Sequence, residues 1–506
     1  MPVKMYPVTG KELFHDGYEV KVNGKPVALD AARVSAIPFN RRWPGHQRTE
    51  GQTELVNFLS LAMDEPVSFE ITPKAPFEKS EIRPASLGIT PEIDGGVIRF
   101  TLEKPACFTV EPYGRQNALH IFADSMPAYN IDPADENVIY FGPGIHEPGQ
   151  IVLASNQTLY LAEGAVVYAC VSAVDAVNIR ILGRGILDNS HNKAHILYEV
   201  KEDPETLARQ EAINNATRQY TIQMEYCDNV EIEGITIRDS LVYNIRPVAC
   251  RNVHIANVKV IGCWRYNSDG FDMHNCENVL IENCFLRTYD DCICVKGFDC
   301  YYDGDIAQAV WEAMHRNGKV YDTFRNICVR NCVLWNDWGK CLEIGAETKA
   351  EEICDVIFED CCIIHTTHSV LDCMNVDYAD VHDITWRNIH IQWDDINPQP
   401  MYQYSDAAPY CPVDPDYAPP VIVAQVIHHH EYSAGSTRQG KNQKLTFENI
   451  HLMGRQQVRF KFAGFDPQHQ TRDVVVRNFT VNGKPLTEDP HLLQTNEFCE
   501  NIQIEY

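Results

Sequence analysis

The chain has 506 residues, 44% of them hydrophobic, and a formal charge of −27 at pH 7. This length permits several ordinary domains or one long repetitive domain. The negative charge is spread along the chain, which argues against nucleic acid or an anionic membrane as a partner and disfavours a polyanionic substrate.

The start of the chain and its cysteines predict a cytoplasmic location. No apolar run reaches the roughly 18 residues that a membrane helix needs, and residues 1–14 lack the apolar segment of a signal peptide. The 19 cysteines, 15 of them between Cys227 and Cys373, contain no CxxC spacing. We therefore expect buried free thiols and neither disulfides, a metal nor a cofactor.

The first 130 residues hold short alternating runs such as GGVIRFTLEKPACFTVEP, punctuated by Gly and Pro. Alternation with a period of two gives each strand one apolar face, and frequent turn residues favour antiparallel connections. We predict a small β-sandwich domain over residues 1–130.

One pattern recurs through the rest of the chain. Units such as NVEIEGITI from Asn229, NVLIENCFL from Asn278 and DVIFEDCCI from Asp355 are two short strands joined by a bend at Asn, Asp or Gly. Eight units start at intervals of 23, 26, 48, 29, 28, 61 and 29 residues. Such a unit buries its apolar face only by stacking on its neighbours, which predicts a right-handed parallel β-helix over residues 131–506.

The repeat also assigns structural roles to residues that resemble ligands. Asparagine recurs at one bend position, where we expect a ladder that hydrogen-bonds the turn backbone. Cys284, Cys332 and Cys361 fall in a slot that isoleucine fills in other units, which predicts core residues. The bend asparagines are Asn257, Asn283, Asn331, Asn388, Asn449 and Asn478.

Three insertions interrupt the repeat. Residues 202–220 and 305–318 have helix-like composition, and residues 397–440 begin with a stretch rich in Pro and Tyr. Long loops on a rigid scaffold often carry binding surfaces, and the sequence leaves the roles of these three open.

Three acids stand out in NSDGFDMHNCENVLIENCFLRTYDDCICVKG, residues 267–297. Asp269 and Asp290 are 21 residues apart, close to one coil, so we expect them and Asp291 on neighbouring coils at the same lateral position. Mutual repulsion raises at least one pKa and leaves a protonated acid beside ionised bases, as inverting glycoside hydrolysis requires. Turn capping or calcium binding is the alternative, but capping does not need a DD pair one coil after another acid.

At these residues the sequence resembles the polygalacturonase-like clan of glycoside hydrolases, right-handed β-helices with an NxD motif on one coil and a DD motif on the next. GRGILD from Gly183 resembles a turn of the same clan. The resemblance implies that Asp290 is the general acid and that Asp269 and Asp291 activate water. It implies supporting or sugar-contacting roles for Asn267, Asp272 and Lys296.

The chain departs from polygalacturonases after the DD pair. WGKCLEIG puts Lys340 where those enzymes have a histidine, and THSVLDCM stands where they have the Arg-x-Lys that grips a galacturonate carboxylate. Both departures favour a neutral or weakly charged oligo- or polysaccharide over pectate. The remaining candidates for sugar contact are Lys340, Glu343, Glu347 and Trp338.

The predicted sandwich resembles a second branch of the clan, the family-49 dextranases and isopullulanases, which carry such a domain before the helix and act on neutral α-glucans. YFGPGIHEPGQIVLASNQTLYLAEGAVVY from Tyr140 resembles the opening of their helix. The sequence does not fix the sugar, the linkage, or endo against exo action.

Two other functions stay open. A β-helix polysaccharide lyase or epimerase would use Lys296, Lys340 or Arg265 as base or to neutralise a carboxylate, with the acids as a calcium site. A non-catalytic carbohydrate-binding β-helix would not need a matched acid cluster. An oligosaccharide is the expected partner, and homo-oligomerisation is left open.

Overall fold

The computed structural model describes residues 3–10, 13–36, 53–191, 220–265, 267–298, 306–366, 368–393, 401–402, 411–412, 419–429, 432–433, 438–454 and 457–506.

The described part of residues 3–124 forms two packed β-sheets. Its elements are β1 Val3–Met5, β2 Tyr18–Val22, β3 Lys25–Val27, β4 Asp30–Ser35, β5 Thr53–Met63, β6 Val67–Pro73, β7 Glu81–Arg83, a 3-10 helix Ala85–Leu87, β8 Glu92–Asp94, β9 Val97–Leu102, β10 Ala106–Arg115 and β11 Leu119–Asp124. One sheet has the order β1-β5-β11-β10-β7 with β4 beside β5, and the other has the order β3-β2-β6-β9-β8. Phe69 and Phe100 of one sheet pack against Phe108 of the other. The predicted sandwich is confirmed, with one departure from antiparallel pairing, between β5 and β11.

From Val138 onward the chain coils so that each turn adds one strand to each of three parallel columns, here called ladders 1, 2 and 3 in the order that the chain visits them. Ladder 1 contains β12 Val138–Phe141, β14 Thr158–Leu161, β16 Val177–Gly183, β19 Asp228–Glu233, β22 Arg251–Ala256, β25 Glu277–Glu282, β30 Thr323–Arg330, β33 Glu352–Glu359, the first parts of β36 Asp380–Gln392, β40 Lys441–Met453 and β42 Thr471–Val481, and β45 Cys499–Ile504. Ladder 2 contains the first parts of β13 Gly144–Val152 and β15 Ala165–Val174, then β17 Ile186–Asp188, β20 Thr236–Arg238, β23 Lys259–Ile261, β26 Phe285–Thr288, β31 Val333–Asn336, β34 Cys362–His365 and the last parts of β36, β40 and β42.

Ladder 3 contains the last parts of β13 and β15, then β18 Ile222–Glu225, β21 Ile245–Val248, β24 Phe271–His274, β27 Ile293–Lys296, β32 Leu342–Ile344, β35 Leu371–Asn375, β39 Ile422–Val426, β41 Phe460–Ala463 and β44 Leu493–Gln494. Outside the ladders lie β28 His315–Arg316, β29 Lys319–Val320, β37 Met401–Tyr402, β38 Cys411–Pro412, β43 Lys484–Pro485 and the helix α1 Ile306–Met314. The right-handed parallel β-helix predicted from the repeat is confirmed.

Stacked apolar side chains fill the inside of the coil. In ladder 1, Val253 pairs with Val279, which pairs with Ile327 on the next coil, and all three are buried. Removing such a column from water is the main stabilising contribution of each added coil. Cys284 and Cys332 belong to the same core, as does Cys361, and 17 of the cysteines in the described ranges are free thiols.

Three of the six bend asparagines form a ladder, with a different partner from the expected one, whereas the Asn257 side-chain amide donates to Glu233 Oε1 at 3.1 Å. Asn388, Asn449 and Asn478 have φ between 50° and 55°, a left-handed conformation that Asn tolerates better than most residues. The Asn449 side-chain amide donates to Asn388 Oδ1 at 2.8 Å, and that of Asn478 donates to Asn449 Oδ1 at 2.6 Å. The side chains thus bond one another from coil to coil instead of the turn backbone.

The sandwich covers the outer face of ladder 2. Phe122 of β11 packs against Phe285 of β26, with 5.1 Å between ring centroids, and Phe58 of β5 joins the same buried cluster as Trp335 of β31. Ladder 2 is therefore closed to ligands where the sandwich lies.

The predicted boundary at residue 130 falls between the end of β11 and the start of β12, and the division into two domains stays a prediction. Helix α1 confirms the helical composition of residues 305–318. Of the other two insertions, residues 202–219 and most of residues 397–418 lie outside the described residues. No helix in the described ranges combines the length and apolarity that crossing a bilayer requires.

Candidate active site

The outer face of ladder 3 carries a row of acidic side chains. Phe271, Ile293, Leu342 and Leu371 align in register and point into the core. Successive side chains of a strand alternate between faces, so the residue after each of these points outward. That outward row is Asp272, Cys294, Glu343 and Asp372, aligned in register on four successive coils.

The three acids singled out by their spacing meet at the start of two of these strands. Asp269 lies just before β24, and Asp290 and Asp291 lie just before β27. One carboxylate oxygen from each lies within 4.8 Å of the others. Asp269 and Asp290 are buried, whereas the Asp291 side chain retains 15% exposure. The expected juxtaposition on neighbouring coils is present.

Backbone contacts hold the DD pair in place. Thr288 Oγ1 donates to the Asp290 carbonyl at 2.6 Å, and the Asn336 side-chain amide donates to the same oxygen. The Lys340 backbone N–H donates to Asp291 Oδ1 at 2.8 Å. The next coil thereby fixes the backbone at Asp290 and the carboxylate of Asp291.

Lys296 supplies positive charge to the cluster. Its Nζ lies 2.8 Å from Asp272 Oδ1, 3.6 Å from Asp269 Oδ2 and 3.9 Å from Asp291 Oδ2. Glu347 Oε2 is also 3.9 Å away. Burial opposes the charged form of Lys296, but these acids, Asp272 foremost, hold its pKa well above the ordinary value. Lys296 is therefore a permanent ammonium group that bridges acids from three coils.

The adjacent acids Asp290 and Asp291 have pKa values displaced in opposite directions. Burial, with repulsion from Asp291, raises the pKa of Asp290 well above its usual range. Burial also acts to raise the pKa of Asp291, but the ammonium groups of Lys296 and Lys340 and the Lys340 N–H outweigh it and lower that pKa. These opposite directions favour the protonated form of Asp290 and the ionised form of Asp291.

The pKa of Asp269 is also raised well above its usual range, first by burial and then by repulsion from Asp272 and Asp290. The pKa of Asp272 rises to about 6, because burial outweighs the attraction of Lys296. These neighbouring acids therefore carry fewer negative charges in total than they would if every one were ionised.

The other predicted contact residues border the three acids. The Asn267 side-chain amide reaches Asp290 Oδ2 at 3.5 Å, a long contact. Trp338 is half-buried and stacks on Tyr289, with 5.6 Å between ring centroids, next to the DD pair. The Lys340 ammonium donates to Glu343 Oε1, three residues further along the same coil. Every predicted site residue thus lies in or beside one cluster.

Sequence reasoning missed two members of the site. Asp372 is buried in register with Glu343, and burial raises its pKa although Lys340 acts against the rise. The sequence contained a signal for Asp372, because positions 272, 294, 343 and 372 are separated by the same intervals as the successive coils. Gly339 is the second: a Cβ there would lie 2.5 Å from Asp290 Oδ1 and from Asp291 Oδ1, so only glycine lets this backbone approach the acids.

The three carboxylates are close enough to hold a metal ion. Lys296 already places a cation against Asp269, Asp272 and Asp291, and the raised pKa values of Asp269 and Asp290 oppose the doubly ionised pair that calcium prefers. This geometry does not support the calcium alternative.

The sequence profile of glycosyl hydrolases family 28 matches residues 150–427, which include the whole cluster. A probable polygalacturonase of Vitis vinifera is 36% identical over 87 residues, 17% of this chain and 18% of that protein. A probable polygalacturonase of Arabidopsis thaliana is 27% identical over 129 residues, 24% of this chain and 27% of that protein. The chain thus spans less than a third of the length of these curated relatives.

Among solved structures, Dex49A from Penicillium minioluteum superposes with a TM-score of 0.55 at 13% identity, covering 97% of this chain and 94% of that chain. At this identity the likeness establishes the fold alone. It extends over the sandwich as well as the helix, in agreement with the predicted architecture.

The relatives overturn the predicted cytoplasmic location. They are plant polygalacturonases, a class of typically secreted or cell-wall enzymes, so that prediction is wrong. One of its grounds was the abundance of free thiols. Most of the described thiols lie inside the coil, where oxidants do not reach them, so their reduced state does not report the compartment.

Proposed function

Because the chain belongs to glycosyl hydrolase family 28, we propose that it hydrolyses glycosidic bonds of a neutral or weakly charged oligo- or polysaccharide at Asp269, Asp290 and Asp291. One observation carries the proposal: adjacent acids in one cluster have pKa values displaced in opposite directions. Such a pair provides a proton donor and an ionised base at the same pH.

In the proposed reaction, Asp290 gives its proton to the glycosidic oxygen as the bond to the anomeric carbon breaks. Asp291 accepts a proton from a water molecule, whose oxygen attacks the anomeric carbon from the opposite face. Asp269, whose own pKa is raised, holds that water in position beside Asp291. The products are a free leaving-group hydroxyl and a sugar with inverted anomeric configuration.

Inversion rests on the family resemblance and not on the distances. Inverting enzymes usually hold their two carboxyl groups about 6.5–9.5 Å apart, and retaining enzymes about 5–5.5 Å. The nearest oxygens of this trio lie within 4.8 Å, which by itself resembles the retaining spacing. The anomeric configuration of the first product decides between the two.

The surrounding residues support this division of roles. Lys296 keeps Asp291 ionised, and Asp272 anchors Lys296 through the shortest of its contacts. Asn267 orients the Asp290 carboxyl group. Trp338, backed by Tyr289, offers an aromatic face on which a sugar ring stacks. Glu347 and Glu343 accept hydrogen bonds from sugar hydroxyls.

The charge of the cluster supports a substrate without a high density of carboxylates. Two lysines accompany seven acids there, and the raised pKa values of Asp269 and Asp290 indicate that further negative charge is already unfavourable, as the carboxylate of a uronate would be. The acids are Asp269, Asp272, Asp290, Asp291, Glu343, Glu347 and Asp372.

The three bases named for the lyase alternative, Lys296, Lys340 and Arg265, do not suit that role. The pKa values of both Lys296 and Lys340 are held well above the ordinary lysine value, despite burial, by neighbouring acids. A lysine base needs a lowered pKa. Arg265 is paired with Asp239. These observations favour hydrolysis.

The test is a screen of neutral and acidic oligosaccharides for new reducing ends, with proton NMR of the first product. We expect cleavage without unsaturated product, full activity in a chelator, and an inverted anomer. A retained anomer would refute the mechanism. An absence of reducing ends across the whole panel, with glycan binding unchanged in Asp290→Asn, would replace hydrolysis by the binding alternative.

A further inference from the structure

A thiol, an imidazole and a carboxylate meet on the outer face of ladder 1, whereas the proposed active site lies on ladder 3. Ile353 and Val381 point into the core. The next residues along their strands, Cys354 and His382, therefore point outward, and they are in register on adjacent coils. One ligand atom from each of these two, and one from Glu352, lie within 4.8 Å of one another. No short sequence motif marks the cluster, because His382 follows Glu352 by 30 residues.

The two ring nitrogens of His382 face different carboxylates. Nε2 lies 3.0 Å from Glu352 Oε1, and Nδ1 lies 2.6 Å from Asp383 Oδ2. A histidine that binds a metal through one nitrogen usually donates a hydrogen bond from the other to a carboxylate, which fixes the ring and its tautomer. Asp383 therefore supplies this outer contact and leaves Nε2, beside Glu352, available to bind a metal in place of a proton.

The cluster is partly open to solvent and lies among negative charges. The side chains of His382 and Glu352 are 20% and 36% exposed, so an ion can enter, whereas Cys354 is buried. Burial, and then repulsion from Glu352 and Asp355, raise the pKa of the Cys354 thiol to about 12. The acids that oppose a free thiolate attract a divalent cation, and a thiol that coordinates such a cation loses its proton. Three nearby cations have acids of their own, namely Arg325 with Glu277 at 3.7 Å, Lys441 with Asp380 at 3.0 Å and Lys444 with Asp383 at 3.2 Å.

We propose that Glu352, Cys354 and His382 form a zinc-type metal site on ladder 1, in which water fills the fourth position. Zinc combines thiolate, imidazole and carboxylate ligands in a tetrahedron, whereas calcium and magnesium prefer oxygen ligands alone. The usual zinc bond lengths put ligand atoms about 3.3–3.7 Å apart, so the cluster needs only to close slightly. Because Glu352 and Cys354 belong to one coil and His382 to the next, the ion would join two coils and stabilise the helix.

The test titrates the full-length protein, reduced and stripped with chelator, with cobalt(II) chloride. Cobalt(II) occupies zinc sites and shows a thiolate-to-cobalt charge-transfer band when a cysteine coordinates it. We expect this band to saturate at one equivalent and to disappear on addition of zinc chloride but not of calcium chloride. The absence of a band in the wild-type protein, or displacement of cobalt by calcium, would overturn the inference.

Two variants assign the ligands. Cys354→Ser should abolish the band, and His382→Ala should weaken zinc binding, measured by competition against cobalt, at least tenfold. The matched control is Cys328→Ser, which removes another thiol from the outer face of ladder 1, one whose neighbours in register are Leu280 and Ile357. The control should keep both the band and the zinc affinity. A band that persists in Cys354→Ser, a zinc affinity unchanged in His382→Ala, or a band lost from the control would contradict the assignment.

An ion-pair network without a metal predicts a different result. His382 would then be an imidazolium between Glu352 and Asp383, and the thiol would have no part. Zinc should raise the midpoint of denaturant unfolding of the wild-type protein and not that of Cys354→Ser, whereas the ion-pair network predicts the same midpoint with and without zinc in both. The second result would overturn the inference. Hydrolysis on ladder 3 involves none of these residues, so failure of the proposed function would leave the metal site standing.

Discussion

Two buried clusters of charge lie on different faces of the helix and differ in their balance. The interface cluster, between the sandwich and ladder 2, matches its cations to its anions. The active-site cluster on ladder 3 has a large excess of acids. The interface cluster consists of Arg83, Arg115, Arg287, Glu54, Glu111 and Asp337.

The interface cluster holds two parts of the chain together, whereas the active-site cluster contains the acids proposed to act in hydrolysis. Arg115 of the sandwich pairs with Asp337 of the helix, and both are 2% exposed. In the active-site cluster, burial and then mutual repulsion raise the pKa values of Asp269 and Asp290. Buried pairs fix a geometry, whereas unbalanced acids retain the proton that hydrolysis needs.

The largest effect should follow from removing the proton donor. Asp290→Asn should lower kcat/KM about 100- to 10,000-fold, because asparagine cannot protonate the leaving oxygen. The fold should persist, since the change removes repulsion. The measurement is reducing-end release from the best substrate of the panel, with circular dichroism for the fold. Activity above a tenth of the wild-type value would remove Asp290 from the role of acid.

Breaking the interface cluster should instead destabilise the fold. Arg115→Met removes the closest cation from buried Asp337, which keeps the Trp335 indole N–H and the more distant Arg287, and should lower the free energy of unfolding by about 3–5 kcal/mol. Adding Asp337→Leu should restore part of the loss, because it removes the buried carboxylate that Arg115 neutralised. Denaturant unfolding measures both. A loss below about 1 kcal/mol in the single variant would show that the pair is solvated.

The two clusters should respond to pH in opposite directions. The pKa of Glu111 is lowered, since His365 and Arg83 outweigh burial; its stabilisation is therefore present above the unfolded pKa and is lost as pH falls through the folded value. The pKa of Asp290 is raised by burial and Asp291. Its contribution is therefore present below the unfolded pKa, about 3.9, and is lost as pH rises through the folded value.

Unfolding free energies measured across pH test this contrast. Glu111→Gln should be less stable than the wild-type protein near neutral pH, with a gap that narrows on acidification. Asp290→Asn should be more stable near neutral pH, with an advantage that disappears below about pH 4. If the stability differences of the two variants from the wild-type protein changed with pH in the same direction, the opposite pKa shifts assigned to Glu111 and Asp290 would be wrong.

The smallest loss of stability should follow from a substitution in the asparagine ladder, which is uncharged and belongs to neither cluster. Asn449→Ala removes two side-chain hydrogen bonds and puts alanine at φ 54°, which should destabilise the fold by about 2 kcal/mol. Asn449→Gly keeps the conformation accessible and should cost about half as much. Both should retain full activity, because the ladder lies away from the acids. Equal losses in the two variants would show that backbone strain plays no part.

The sequence predicts the helix well because its period is local. The two-strand units of the repeat predict ladders 1 and 2, and the 21-residue spacing of Asp269 and Asp290 brings these acids together at ladder 3, which lies outside the units. The opposite pKa shifts of Asp290 and Asp291 are not predictable in this way. They depend on a backbone N–H from Lys340, 49 residues from Asp291.

The interface cluster also escapes sequence reasoning. Arg115 and Asp337 are separated by 222 residues and belong to different sheets, so no repeat relates them. Asp372 lies between these cases: the coil interval places it in the outward row, but its unpartnered oxygen depends on the folded surroundings.

The thiols stacked inside the coil can serve as chemical probes for the opening of individual coils. Cys284, Cys332 and Cys361 lie at the same position of adjacent coils, and each is at most 1% exposed. An alkylating reagent reaches each thiol only when its own coil opens. In a stacked repeat, opening spreads between neighbours, so the order of alkylation would record the end from which the helix unravels.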